Sequence, residues 1–151
     1  MNELAWRDAL AFDPDIVIIK LGTNDSKPLN WQHGAEFKQD LVQMITTLCP
    51  EFADLPKNKK KRTKALAEVT KKIYLCTPIP AFKATWNISD EVIKNQIIPI
   101  QQEVANEYGL KVIDLHTLFA NDGDKMLSDG IHPNERGARR MAELIFEELK
   151  K

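Results

Sequence analysis

Three short β-branched runs, each separated from the next by an amphipathic stretch, constrain this chain more than any other feature. Asp15-Ile-Val-Ile-Ile-Lys-Leu21 shows no polar alternation before Lys20. A run of that kind reads as a strand buried on both faces, the pattern of a parallel sheet. Lys72-Ile-Tyr-Leu-Cys-Thr77 repeats it and is closed by Pro78 and Pro80, and Lys111-Val-Ile-Asp114 is a third, shorter run. Helical spacing of apolar residues marks 3–12, 34–48, 90–108 and 134–149. Asp13-Pro14 ends the first of these, since Pro disfavours helix in the residue before it. Pro50 ends the second and Gly109 the third. Ser89 or Asp90 is the expected N-cap of the third helix, and Pro99 predicts a kink or restart within it. Residues 115–120 read as a helical turn. The order α-β-α-β-α-β-α predicts an α/β fold with parallel strands and right-handed crossovers.

At 151 residues the chain has the length of one domain with a real core. No apolar run approaches the ~20 residues of a membrane span. The first residues, MNELAWRDALAF, lack the basic segment and continuous apolar stretch of a signal peptide. Two cysteines are too few for a disulfide scaffold. Cys76, in mid-strand, reads as a buried small hydrophobe, and Cys49 is likewise isolated. The net charge of −1 hides an uneven layout: residues 57–72 hold eight cations and one acid, a local +7, which leaves −8 elsewhere. The cationic run reads as a solvated surface loop leading into a helix. Residues 55–62 offer no aromatic ring for a base to stack on, so no nucleic-acid partner is expected.

In open α/β sheets, ligands bind beyond the carboxyl ends of the strands. Three polar clusters fall there: Gly22-Thr-Asn-Asp25, Thr77-Pro-Ile-Pro80 and Ser128-Asp-Gly-Ile-His-Pro133. Asp129 and His132 stand three residues apart in a Gly- and Pro-containing turn. A carboxylate so placed can accept the Nδ1 proton of an imidazole and make the ring a general base. A capping Asp and a surface His are the alternative. No third ligand suggests a metal, and no cofactor is expected. Asn24 can donate to a developing oxyanion or make an Asx turn, with Asp25 the better candidate for that turn. His33 and His116 read as loop or core residues.

The GTND and DGIHPN segments, in this order, resemble two sequence blocks of the SGNH, or GDSL-type, hydrolases. Gly22, Asn24 and Asp25 match the G-x-N-D block; Asp129 and His132 match the D-x-x-H block. LGTNDSKPLNW, IYLCTPIPAF, residues 88–105 and VIDLHTLF resemble the carbohydrate and sialate O-acetylesterase-like branch. The resemblance covers nearly the whole chain. It implies a three-layer, flavodoxin-like fold and acyl transfer. His132 would serve as base, Asp129 would orient it, and Asn24 would stabilise the oxyanion, with Gly22 and Asp25 shaping the turn. In the family the nucleophilic Ser lies in a GDS block upstream of G-x-N-D, as does a Gly whose N–H joins the oxyanion hole. None of the 21 residues before Gly22 is Ser. Ser26, Ser89 and Ser128, the serines present, do not sit in such a block.

The chain therefore reads as a single partial domain, 1–151, an N-terminally truncated sheet of about three strands without a nucleophile. Alone it is expected to be inactive. The intact parent would act on an acetyl or similar ester of a carbohydrate or small molecule. The TPIPAF loop and Trp86 are placed on the substrate side, with plain packing as the alternative. The strand from Asp15 to Leu21, central in the family, would become an edge through which two chains associate. A non-catalytic binding or assembly protein is the competing reading. A phosphate-binding module is a third, and it lacks any G-x-G string. Localisation stays open, because a leader in a family member would lie upstream.

Overall fold

The structure is a computed structural model that describes residues 4–69 and 71–150. The elements run in order α1 (Leu4–Ala11), β1 (Ile16–Ile19), α2 (Pro28–Trp31), α3 (Phe37–Leu48), α4 (Lys59–Glu68), β2 (Lys72–Cys76), α5 (Asp90–Val92), α6 (Ile98–Tyr108), β3 (Lys111–Ile113), α7 (Leu115–Leu118) and α8 (Glu135–Leu149). The strands form a parallel sheet in the order β1-β2-β3, with Ile16 opposite Lys72, Ile19 opposite Leu75 and Cys76 opposite Ile113. This is the α/β arrangement of parallel strands that the sequence pattern predicts.

Side chains alternate across the sheet, so each strand feeds two cores. On one face Ile19, Ile73 and Leu75 pack with Leu41, Ile45 and Leu48 of α3 and with Val104 and Ala105 of α6. On the other, Tyr74, Cys76 and Ile113 pack with Leu115, Phe119 and Met126, against Met141, Leu144, Ile145 and Leu149 of α8. Each fully buried aliphatic side chain contributes about 1.5–3 kcal/mol. Helices on both faces give three layers.

The segment 15–21 departs from its expected burial. Ile16 and Ile18 are 49% and 40% exposed, while Ile19 is buried. β1 is an edge strand, as expected of a sheet of about three strands, but one face of it also lies open where the run itself reads as buried on both. The strand is also shorter than the run, at Ile16–Ile19.

Local chemistry sets the helix ends. α3 begins at Phe37, after turns through 33–36, rather than at 34. The cationic run is itself helix from Lys59, capped by Asn58, whose Oδ1 accepts from the Lys61 N–H at 3.1 Å. Ser89 caps α5 by accepting from the Val92 N–H at 3.2 Å. Between α5 and α6, Ile93–Ile97 widen into a π turn. That places Pro99 in the first turn of α6, where its missing N–H costs no bond. Gly109 stops α6 at φ 64°. Asp114 caps α7, accepting from the Thr117 N–H at 3.1 Å. Cys49 and Cys76 are buried free thiols, and burial pushes both up to about 11. Among the described residues no helix is long and apolar enough to cross a membrane.

Candidate active site

The chain leaves β1 through Gly22, at φ 118°. A Cβ there would lie 2.8 Å from Ile97 Cγ2 and 3.1 Å from Pro78 Cγ, so conformation and space both require glycine. Gln101 of α6, itself buried, fixes the strand end by donating from Nε2 to the Leu21 carbonyl at 3.1 Å. A 3-10 turn, Asn24–Ser26, follows. The expected Asx turn from Asp25 is not made. Ser26 holds the turn instead: its buried hydroxyl donates to the Thr23 carbonyl at 2.8 Å and accepts from the Ser89 N–H at 3.1 Å. The Asn24 carbonyl accepts from Asn30 Nδ2 at 2.7 Å. The Asn24 side chain is exposed, and its amide makes no hydrogen bond with the described residues.

The second cluster is a tight turn closed by Leu127 N–H to the His132 carbonyl at 2.8 Å and Gly130 N–H to the Leu127 carbonyl at 2.9 Å. Gly130 has φ 69°. Asp129 uses its two oxygens differently. Oδ1 accepts from the backbone N–H groups of Ile131 at 2.7 Å and His132 at 2.9 Å, while Oδ2 stands 3.1 Å from His132 Nδ1. The carboxylate thus caps the turn, as the plainer reading has it, and faces the ring as well. The backbone N–H of His132, then that of Ile131, holds its pKa down to about 2. An ionised Asp129 beside Nδ1 favours the proton there, which leaves Nε2 with its lone pair. The His132 side chain is 60% exposed and that of Asp129 only 17%.

Both clusters line one cavity of about 270 Å³, with Gly22, Thr23, Asn24 and Asp25 on one side and His132 and Trp86 on another. Of the Thr77–Pro80 cluster only Ile79 reaches this cavity. Thr77 turns into the protein, where its hydroxyl donates to Asp114 Oδ1 at 3.2 Å and accepts from the His116 N–H at 2.9 Å. His116 Nε2 meets Asp90 Oδ1 at 3.1 Å, and the same oxygen accepts from the Ala81 N–H at 2.8 Å. His116 is thus a partly buried anchor for the 77–81 loop, while His33 is an exposed loop residue. Ser26 and Ser89 are occupied in turns and caps; Ser128 is exposed. Among the described residues no group of three His, Cys, Asp or Glu side chains could hold a metal ion.

Three contributors were not singled out as parts of the site from sequence. Gly137 lets α8 approach the site turn: a Cβ there would lie 2.2 Å from the Lys125 carbonyl oxygen. Asn134 ties the two together, with its N–H donating to the Lys125 carbonyl at 2.9 Å and its Oδ1 accepting from the Gly137 N–H at 3.0 Å. Thr85 donates to the Asp129 carbonyl at 2.7 Å. A glycine inside a helical pattern was the one available signal among these.

The family model for GDSL-like lipases/acylhydrolases matches residues 1–140. The chain belongs to this family. It is 64% identical over 151 residues to an acetylxylan esterase of Xylanibacter ruminicola, covering 99% of this chain and 32% of that one. It is 26% identical over 145 residues to a multidomain esterase of Ruminococcus flavefaciens, covering 92% of this chain and 16% of that protein. Among solved structures, a lipase/acylhydrolase from Enterococcus faecalis superimposes with a TM-score of 0.71 at 26% identity, covering 93% of this chain and 64% of that chain. The chain thus spans about a third or less of the length of these two curated relatives. Family membership agrees with the GTND and DGIHPN resemblance, and the α/β sheet with helices on both faces is the fold shared with the Enterococcus enzyme.

Proposed function

We propose that this chain carries the base, orienting acid and one oxyanion donor of an SGNH-type esterase site. His132 Nε2 takes the proton of a serine nucleophile and later returns it to the leaving alcohol. Asp129 holds the ring and stabilises the imidazolium, and the Asn24 amide donates to the tetrahedral oxyanion. Gly22 and the buried Ser26 hydroxyl shape the turn that presents Asn24. The observation that carries this reading is the convergence of His132, backed by Asp129, and the unpartnered Asn24 amide on one cavity. The substrate would be a carbohydrate acetyl ester, supported by 64% identity to a protein named acetylxylan esterase. We place residues 1–151 in one partial domain of that enzyme. Ser26 and Ser89 are held in a turn and a cap, and Ser128 lies in no GDS-type block, so the chain alone is expected to be inactive.

Nitrogen-15 spectra of His132 near neutral pH test the assignment. A protonated Nδ1 and a lone-pair Nε2 are expected. A ring protonated at Nε2 instead could not act as the base and would end this reading.

We further propose that two chains pair through or near β1. Among the described residues no strand pairs with its outer edge, and Ile16 and Ile18 lie exposed beside it. Light scattering at low micromolar concentration is expected to give about twice 17.2 kDa. A monomeric mass there would count against pairing.

A further inference from the structure

Trp86 holds a strained backbone while most of its side chain stays exposed. It has φ 53° and ψ 30°, and Asn87 follows at φ 60°, so two consecutive residues with side chains sit in the left-handed region. For a bulky residue that is a genuine outlier, and such strain persists only where the surroundings over-determine it. Here they do. The Phe82 N–H donates to the Gly130 carbonyl at 3.0 Å, Lys83 Nζ to the Ser128 carbonyl at 2.8 Å, and Thr85 Oγ1 to the Asp129 carbonyl at 2.7 Å. All three bonds end on the turn that carries Asp129 and His132.

The strain does not bury the side chain. Trp86 is 57% exposed, and its indole N–H makes no hydrogen bond with the described residues. Its ring stands edge-on to the His132 ring, 5.4 Å between centroids at 63°. The loop therefore spends backbone strain on an open aromatic face at the mouth of the cavity.

The position of that face fixes which part of an ester it would meet. In the proposed reaction the carbonyl oxygen turns to Asn24, and the leaving alcohol takes its proton from His132. The group carrying the alcohol must then pass beside His132, against Trp86. Across the same cavity stand Thr23, Asn24 and Asp25. Leu21, Ile79, Ile88 and Ile131 complete a lining that mixes apolar and polar groups. A pyranose ring suits it: its C–H face lies on the indole, and its hydroxyls reach the polar side.

We propose that Trp86 is the platform on which the sugar ring of the substrate stacks, making it a specificity-determining residue on the alcohol side. This rests on the ester-site reading above and adds to it the residue that recognises the sugar.

The test uses the purified chain, labelled with nitrogen-15 and titrated with xylotriose, and needs no turnover. The Trp86 indole N–H signal, assigned by its loss in Trp86→Phe, is expected to move saturably, while those of Trp6 and Trp31 stay in place. Trp86→Ala is expected to weaken binding, followed on the Gly130 and His132 amides, about tenfold, and Trp86→Phe to stay within about threefold of the parent. A Trp86 signal unmoved at tens of millimolar xylotriose would overturn the platform, as would Trp86→Ala binding the sugar as well as the parent. In either case, retention of the Nδ1-protonated form of His132 would show that the ester-site reading survives the loss of the platform. If Trp86→Ala changes only the His132 ring signals and leaves sugar binding intact, Trp86 positions the base and the proposal fails.

Discussion

Gly137→Ala is expected to lower the melting temperature of this chain by about 10 °C, a destabilisation of roughly 3 kcal/mol. Alanine in mid-helix is ordinarily the better residue, by up to ~1 kcal/mol over glycine. The sign reverses here because the new Cβ would stand 2.2 Å from the Lys125 carbonyl oxygen and 2.9 Å from Pro133 Cβ. Neither is the free end of a flexible side chain. The carbonyl is already fixed by the Asn134 N–H, and Pro133 bridges to Met126. α8 would have to lift away from the segment 125–133, loosening the contacts of Met141 and Ile145 with the core beneath. The same movement carries His132 away from the cavity wall. Thermal denaturation followed by circular dichroism reads the first effect, and the His132 amide shift reads the second. An unchanged melting temperature would mean that α8 does not dock on this turn.

Asp129→Ala is the second large effect expected. One side chain caps two backbone N–H groups and faces the imidazole, so its removal acts twice. The turn loses the acceptor for Ile131 and His132, and the ring loses the partner that selects its tautomer. Spectra of the variant are expected to show His132 as a mixture of the two neutral tautomers, with amide signals across 128–133 broadened or shifted. Acid sharpens the prediction. The carboxyl is held at about 2, below its ordinary 3.8, chiefly by the His132 and Ile131 N–H groups. A depressed carboxyl stabilises the fold above its unfolded value and loses that contribution as pH falls through the folded one. The parent turn should therefore loosen between about pH 4 and pH 2, and Asp129→Ala should lack that step. A variant that keeps both the acid step and a single His132 tautomer would contradict the assignment.

Much of this was legible in the sequence because the signals are local. Three β-branched runs and their intervening amphipathic stretches suffice for a parallel sheet with helices on both faces. Asp129 and His132 are three residues apart, and one turn brings them together. The 15–21 run alone reads as covered on both faces, and the family resemblance rather than the run points to an edge: Ile16 and Ile18 have the composition of a covered strand, and whether a neighbour covers them is not encoded in the run itself. The Asx turn expected of Asp25 failed because Ser26, one residue on, is gripped by Ser89 from 63 residues away. The clamp of Lys83 and Thr85 on the carbonyls of 128–129 is equally non-local, as is the close approach of α8 to Lys125. The neighbourhood of Trp86 in the sequence points to the substrate side, yet its left-handed backbone has no signature there, since neither Trp86 nor Asn87 is glycine.

The central claim is that this chain holds a general base, its orienting acid and an oxyanion donor but no nucleophile in position. Hydrolysis of 4-nitrophenyl acetate by the purified 151-residue chain tests it most directly, with His132→Ala measured beside it. The account predicts a rate at the buffer background for both proteins. Robust turnover by the parent chain, abolished by His132→Ala, would contradict it.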